Sequence, residues 1–180
     1  MTRIPLSPST TDELRELFAA ATNGRQPPLN LHRQMASGPA VLAAYVGVRR
    51  AIEAHGTLDQ RTRFALMLAV SAADGCEYTQ AINTVLTTRA GMARDDVNAV
   101  LAGEATGQPR LDALLSVARA AARHDGRVDG VAWRAARDAG VTDTELAEAY
   151  ASIALAVFVD HFVNYAETPF DVPMAGRQAA

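Results

Sequence analysis

Residues 71–83 hold most of the side chains in this chain that could do chemistry. They read Ser-Ala-Ala-Asp-Gly-Cys-Glu-Tyr-Thr-Gln-Ala-Ile-Asn and include the single cysteine of the 180 residues, Cys76. A thiolate can attack a peroxide, but closing an internal disulfide afterwards needs a second cysteine. Cys76 therefore cannot run an intramolecular dithiol–disulfide cycle.

Two interpretations of Cys76 stay open. The thiol follows Asp74 and Gly75 at the predicted start of a helix, where free backbone N–H groups favour a thiolate. The negative neighbours Asp74 and Glu77 oppose ionisation, and no basic residue is close in sequence. The favoured interpretation is an inert, half-buried thiol, and the alternative is a functional single thiol.

Histidines are the next candidates, and the chain has four: His32, His55, His124 and His161. No pair has metal-ligand spacing with a carboxylate on one helical face, so we expect neither a metal nor another cofactor. His161 follows Asp160 in an apolar segment, where polar groups need partners. A core hydrogen bond or a subunit contact is the favoured role for His161, and a proton-moving base beside the Cys76 helix is the alternative.

The motif around Cys76 resembles the cysteine-motif region of the alkyl hydroperoxidase D-like, or carboxymuconolactone decarboxylase-like, family. Members typically have Glu, eleven residues, Cys-x-x-Cys, three residues and His, in a frame like Leu-Ala-Val-Ser-Ala-Ala-Asn-Gly-Cys-Glu-Tyr-Cys. The likeness continues at residues 3–5, 58–61, 90–91 and 168–173, so it covers most of the chain. It implies an all-α, single-domain helical bundle over residues 1–180, with residues 1–10 as an extended arm. It also implies a homo-oligomer, a trimer or hexamer or else a dimer.

The resemblance carries over poorly at the reactive positions. Cys76 matches the first cysteine of the family motif, whereas Thr79 takes the place of the second, Asn83 of the histidine and Phe64 of the glutamate. Threonine forms no disulfide, an amide is no base near neutral pH, and phenylalanine is apolar. The dithiol peroxidase chemistry of the family is therefore not expected here.

These substitutions predict a less polar pocket at the former redox site, bounded by Phe64, Cys76, Thr79 and Asn83. Aromatic and thioether side chains nearby could add to its lining, although at helical spacing such residues more often belong to the core. Those additional candidates are Met67 and Tyr78.

The leading functional hypothesis is that this pocket binds or transforms a small, mostly apolar organic molecule without redox chemistry. Proton transfer, isomerisation or decarboxylation would fit, the last by analogy with the family's decarboxylase branch. His161 or Asp160 would then move protons, while Asn83 and Thr79 orient the ligand. The alternatives are a single-cysteine peroxidase that uses Cys76 with an external thiol reductant, and a non-catalytic oligomeric scaffold.

The elements that position these residues are predicted to be helices. Apolar residues at i, i+3, i+4 and i+7 mark a helix over residues 14–21, behind a capping box at Thr10 and Glu13. Residues 59–73 suggest a core helix, although the apolar run 64–70 also fits a buried strand. The Cys76 helix ends at Gly91, and a second capping box, Thr142 to Glu145, opens the last long helix.

Composition narrows the class of protein. The chain is 49% hydrophobic and 21% charged, with 17 basic and 20 acidic residues and a net charge of −3, which is globular composition without a basic footprint. A helix–turn–helix-like segment over residues 134–146 offers acidic side chains that DNA phosphates would repel, so no nucleic-acid partner is expected. The apolar stretch 153–159 is too short to span a membrane, and no signal-peptide pattern opens the chain, so we expect a cytoplasmic protein.

Overall fold

The computed structural model describes residues 2–6, 12–24 and 27–172. Over that part of the chain the backbone forms nine α-helices and no strand, as the resemblance implied. The helices are α1 (Asp12–Thr22), α2 (Asn30–Met35), α3 (Pro39–His55), α4 (Gln60–Ala73), α5 (Glu77–Arg89), α6 (Arg94–Ala102), α7 (Pro109–Arg123), α8 (Gly130–Asp138) and α9 (Asp143–Ala166).

Helix α4 lies at the centre of the bundle. It packs against α5, α6, α7 and α9, and its side chains Leu66, Leu68 and Val70 are fully buried. The Asp59 carboxylate caps its first turn by accepting from Thr62 N at 2.8 Å. The alternative of a strand over residues 64–70 is therefore wrong, because this apolar run is a helix buried on several sides.

Two apolar clusters fill the bundle. The larger one joins α4 to α6, α7, α8 and α9, and the smaller one joins α2, α3 and α5 to the C-terminal half of α9. Met67 on α4 packs against both clusters. The two clusters therefore meet at Met67 on α4 and along α9, close to Cys76 and to helix α5, which carries Thr79 and Asn83.

The turn between α4 and α5 sets the position of Cys76. Gly75 takes a left-handed conformation with φ of +68°, which a residue with a Cβ adopts at a cost. The chain then doubles back, and Cys76 N donates to Ser71 O at 3.0 Å. Cys76 becomes the residue that immediately precedes α5, so the prediction of a helix N-terminus at this position is confirmed.

One of the two predicted capping boxes lies among the described residues and is confirmed. The capping box at Thr142 and Glu145 is present at the start of α9, and the helix ends at Ala166. The other predicted capping box lies outside the described residues, since Thr10 is not among them.

The side chain of Gln34 on α2 links the N-terminal segment to the residues at the end of α9. Its amide nitrogen donates to Ile4 O at 2.8 Å and to Ala166 O at 3.3 Å, and its oxygen accepts from the Thr168 hydroxyl. Residues 2–6 of the predicted arm are non-helical and are held by these bonds and by Arg3 N donating to Ala166 O.

Helix α9 is long and apolar enough to cross a membrane by length and composition alone. Half of its most apolar window is buried inside the protein, and the helix packs against α3, α4, α5 and α7. It carries the fully buried Asp160 in its second half. This is the placement of a core helix.

Candidate active site

A buried polar cluster lies where α4, α5 and α9 meet. It is notable because the surrounding side chains of these helices are apolar. The cluster consists of Ser71 and Asp74 from the end of α4, Cys76, Thr79 and Asn83 from the start of α5, and Asp160 from α9.

Helical periodicity brings these side chains together. Residues 76, 79 and 83 recur at i, i+3 and i+7 and therefore share one face of α5, and residues 64, 67 and 71 do the same on α4. These two faces meet across the tight turn at Gly75. The four motif positions recognised in the sequence thus belong to two facing helix surfaces.

Hydrogen bonds connect the cluster. The Asn83 amide nitrogen donates to Ser71 Oγ at 2.9 Å, and Ser71 Oγ lies 2.9 Å from Met67 O and 3.3 Å from Asp160 Oδ1. Thr79 Oγ1 donates to Cys76 O at 3.1 Å. Asn83 and Thr79 are therefore already engaged with protein groups, and their predicted role in orienting a ligand stays a prediction.

Asp160 is the most perturbed acid of this cluster. Burial raises its pKa to about 7, and the nearby Asp74 carboxylate acts in the same direction. The Thr79 and Ser71 hydroxyls oppose the rise, because either can donate to the ionised carboxylate in place of its backbone acceptor. A carboxyl group with a pKa near neutrality holds a proton that it can readily exchange.

Asp74 and Asp160 form a carboxyl pair. The Oδ2 atoms of both are buried and accept from no N–H or hydroxyl donor among the described residues. A single proton held by Asp160 and donated to Asp74 would satisfy both atoms, since each carboxyl group acts on the pKa of the other. Burial raises the pKa of Asp74 as well, while the nearby His161 lowers it, so we assign the carboxylate to Asp74 and the proton to Asp160.

Cys76 is buried, with 2% of its surface exposed, and its Sγ lies 4.0 Å from Asp160 O. Burial raises the pKa of the thiol above its ordinary value, and the Asp160 carboxylate adds to this, whereas hydrogen bonds from Thr79 and Tyr78 act against it. The opposing acid is thus Asp160 from a distant helix, rather than the exposed sequence neighbour Glu77. The thiol is held in its unreactive, protonated form.

Of the remaining predicted residues, two lie on the helix face that carries part of the cluster and two lie outside it. Phe64 and Met67 are half-buried on the α4 face that also carries Ser71. Tyr78 is buried, but its hydroxyl donates to Asp171 Oδ1 at 2.7 Å and so faces the C-terminal segment. His161 is exposed, and its electrostatic interaction with Asp74 lowers the pKa of that carboxyl group.

Sequence reasoning assigned no role to Ser71 and treated Asp74 only as a neighbour of the thiol. Ser71 is a polar residue directly after the apolar run 64–70, and that contrast was the available signal. Asp74 gave no comparable signal, because its partner Asp160 is 86 residues away and only the packing of α9 on α4 joins them.

Within residues 2–6, 12–24 and 27–172, no group of three or more His, Cys, Asp or Glu side chains is placed to hold a metal ion.

Comparison with known proteins finds a likeness to one family over part of the chain. Residues 39–120 match the model of the Carboxymuconolactone decarboxylase family. No curated protein sequence matches the chain. The matched segment contains α3 to α6 and most of α7, and therefore the α4–α5 half of the polar cluster.

Solved structures share the fold over nearly the whole chain. A variant of the debrominase Bmp8 in complex with 2,3,4-tribromopyrrole aligns with a TM-score of 0.81 and 17% identity, covering 95% of this chain and 94% of that chain. An alkylhydroperoxidase AhpD core, an uncharacterized peroxidase-related protein from Ralstonia eutropha, aligns with a TM-score of 0.82 and 20% identity, covering 94% and 92%. An uncharacterized peroxidase-related protein from Silicibacter sp. aligns with a TM-score of 0.79 and 13% identity, covering 97% and 93%.

The family match and the fold agree with the resemblance in the sequence. That match covers 82 of the 180 residues, and together with the shared fold it shows a likeness to the carboxymuconolactone decarboxylase-like, alkyl hydroperoxidase D-like family.

Proposed function

We propose that this protein is an acid–base enzyme that moves a proton on a small, mostly apolar organic molecule, with Asp160 as the proton donor. The observation that carries the proposal is the Asp74–Asp160 pair, whose two buried Oδ2 atoms have no other hydrogen-bond partner among the described residues and would be satisfied by one shared proton. Such a pair offers an acid and a base side by side in a water-poor site.

Decarboxylation, the reaction in the family's name, fits this chemistry. When the bond to the departing carboxylate breaks, its electron pair stays on the substrate carbon, and an acid must then protonate that carbon. Asp160 holds such a proton near neutral pH because burial raises its pKa to about 7. Isomerisation by proton removal and return would use the same pair.

Residue roles follow from the contacts. Asp160 would donate the proton and Asp74, which bears the negative charge, would accept it back. The exposed His161 near Asp74 would exchange protons with solvent. Phe64 and Met67, on the α4 face that leads to the cluster, would contact the apolar part of the substrate.

The proposed class of substrate, a small and mostly apolar molecule, is supported by the apolar side chains around the carboxyl pair and by the fold. Bmp8, which shares the fold, was crystallised with 2,3,4-tribromopyrrole, a small ring with little polar surface. By analogy, we propose a ligand of similar size and polarity for this chain.

A single-cysteine peroxidase is the second candidate, favoured by the peroxidase-related proteins that share the fold. Its requirement is a thiolate that reaches the peroxide. Cys76 is 2% exposed, and burial raises the pKa of its thiol, so both observations oppose this candidate. A non-catalytic scaffold would have no need of a buried carboxyl pair, which is costly to keep without a function.

The direct test uses pyrrole-2-carboxylate, a small ring with one carboxylate, as the first probe, with nuclear magnetic resonance in D₂O to follow loss of the carboxyl group and deuterium uptake at carbon. We expect turnover in the wild type and a loss of about a hundredfold or more in Asp160→Asn. Cys76→Ser should keep the activity, which separates this mechanism from thiol chemistry.

The His161→Ala variant tests whether the exposed His161 exchanges protons between Asp74 and solvent. Unchanged affinity and turnover in this variant would remove His161 from the mechanism and leave the carboxyl pair to exchange protons with solvent directly. Equal turnover in Asp160→Asn and wild type would refute the proposal as a whole.

A further inference from the structure

The Ser71 hydroxyl has more hydrogen-bond partners than it can satisfy at one time. Its Oγ is fully buried and lies 2.9 Å from Asn83 Nδ2, 2.9 Å from Met67 O and 3.3 Å from Asp160 Oδ1. The Asn83 amide nitrogen can only donate, so Ser71 accepts from it. The one proton of Ser71 then goes either to Met67 O or to Asp160 Oδ1.

These two orientations correspond to the two protonation states of Asp160. With Asp160 ionised, Oδ1 carries negative charge, and a hydrogen bond to a charged oxygen is stronger than one to a peptide carbonyl. With Asp160 protonated on Oδ2 and donating to Asp74, Oδ1 is a neutral carbonyl oxygen. The shorter contact, to Met67 O, then takes the Ser71 proton.

We propose that Ser71 is a positioning residue that sets the protonation of Asp160, by turning its hydroxyl from Met67 O to Asp160 Oδ1 when Asp160 loses its proton. Asn83 keeps the hydroxyl oriented by occupying its acceptor site. The catalytic consequence of this switch rests on the proposed acid–base function.

Ser71 keeps its own proton throughout. In the transfer step the Asp160 O–H bond breaks, the substrate atom gains that proton, and the electron pair remains on the Asp160 carboxylate. Turning of the Ser71 hydroxyl then stabilises the new charge without a further proton transfer. Ser71, oriented by Asn83, thus acts on the Asp160 carboxyl group together with Asp74 and the Thr79 hydroxyl.

Other ionisable groups face Asp160 and act together with the Ser71 switch. They are Asp74 at the end of α4, Cys76 at the start of α5, and His161 on α9 itself, which acts through Asp74. All three are retained in the variants below, so the contribution of Ser71 is measured against a constant background.

The test is a pH titration of the Asp160 carboxyl carbon in protein labelled with carbon-13 aspartate, the signal being assigned by its disappearance in Asp160→Asn. Ser71→Ala removes a donor to the carboxylate, so its midpoint should rise by roughly one pH unit. Asn83→Ala keeps the hydroxyl but loosens its orientation, so a smaller rise in the same direction is expected.

Ser152→Ala is the matched control, because Ser152 is a buried serine on α9 whose hydroxyl has no hydrogen-bond partner among the described residues. Its midpoint should equal that of the wild type. The inference is overturned if Ser71→Ala shifts the midpoint no more than Ser152→Ala does. If Ser71→Ala does not fold, the same criterion applies to Asn83→Ala.

This titration separates the two proposals. Turnover that is insensitive to Asp160→Asn, together with a midpoint that responds to Ser71→Ala, would refute the proposed function and leave the switch standing. Turnover that is lost in Asp160→Asn, together with a midpoint that does not respond to Ser71→Ala, would refute the switch and leave the proposed function standing.

Discussion

At the scale of single residues, the protein places a carboxyl group where water cannot reach it. Asp160 is fully buried on a helix whose other buried side chains, apart from Ser152, are apolar. Burial without full compensation is costly for a charge, and the group responds by keeping its proton up to about pH 7. This behaviour makes stability itself a probe of the site.

The first prediction concerns the pH dependence of stability. The pKa of Asp160 is about 7 in the folded protein and about 4 in the unfolded chain, so between these values the folded state binds the extra proton. The free energy of unfolding should therefore fall as pH rises from about 4 to 7, by up to roughly 4 kcal/mol. Urea denaturation of wild type at a series of pH values measures this slope.

Asp160→Asn should lose most of that slope, because an amide does not titrate. The control Asp138→Asn changes an exposed acid at the end of α8 and should retain the slope. If the free energy of unfolding depends on pH equally in Asp160→Asn and wild type, a group other than Asp160 causes the slope, and the prediction is wrong.

The second residue-scale prediction concerns Cys76. Because the thiol is 2% exposed and burial raises its pKa, its alkylation by iodoacetamide near neutral pH should be at least about tenfold slower in the folded protein than in urea. Intact-mass spectrometry follows the reaction.

The same method tests for peroxidase chemistry. An organic hydroperoxide with dimedone present should leave the mass of the protein unchanged. A rapid dimedone adduct that is absent from Cys76→Ser would favour the single-cysteine peroxidase over the acid–base enzyme.

At the scale of elements, Tyr78 was predicted to line a pocket, but its contacts anchor the segment that follows α9. Its hydroxyl donates to Asp171 Oδ1 at 2.7 Å, Leu31 N donates to that hydroxyl at 3.2 Å, and its ring packs edge-on against Phe170. Asn30 N also donates to Asp171, at 2.6 Å. The segment after α9 is thereby held against α2 and α5.

Tyr78→Phe should lower the free energy of unfolding by about 1 kcal/mol and leave ligand affinity unchanged, since the hydroxyl bonds to Asp171 rather than to the cluster. Thermal or urea unfolding gives the first quantity, and a thermal shift with 2,3,4-tribromopyrrole gives the second. Tyr165→Phe, at an exposed position on α9, is the control for loss of a hydroxyl. Weakened binding with unchanged stability would instead support the predicted pocket role of Tyr78.

At the scale of the whole molecule, one face of α9 remains apolar and exposed. Tyr150, Phe158 and Tyr165 expose 58%, 36% and 68% of their surfaces, and Ala154 and His161 lie on the same exposed stripe. Aromatic side chains on a surface are typical of protein–protein contacts. These observations support the homo-oligomer that the family resemblance implied.

We therefore expect light scattering to give a multiple of 19.1 kDa, with a trimer or hexamer favoured over a dimer. Phe158→Asp should reduce the assembly, because it buries a charge in the proposed contact. The control Val131→Asp changes an apolar residue that is 70% exposed on α8, away from this stripe, and should leave the mass unchanged. A mass of 19.1 kDa for the wild type would contradict the oligomer.

The sequence by itself determined the helices and the family resemblance. Capping residues, glycine stops and apolar spacing act over a few positions, so the start of α9 at Thr142, the end of the Cys76 helix near Gly91 and the N-terminal placement of Cys76 could all be predicted. The loss of dithiol chemistry followed from residue identity alone, since one cysteine cannot form an internal disulfide.

Only the tertiary structure decided how the site works. The Asp74–Asp160 pair and the Ser71 hydroxyl between Asn83 and Asp160 depend on α9 packing against α4 and α5, a contact between residues more than eighty positions apart. Burial, which raises the pKa of Asp160 and of Cys76, is likewise a property of the assembled bundle. Local sequence cannot specify such values, because desolvation and charge pairing are set by whatever the fold brings within a few ångströms.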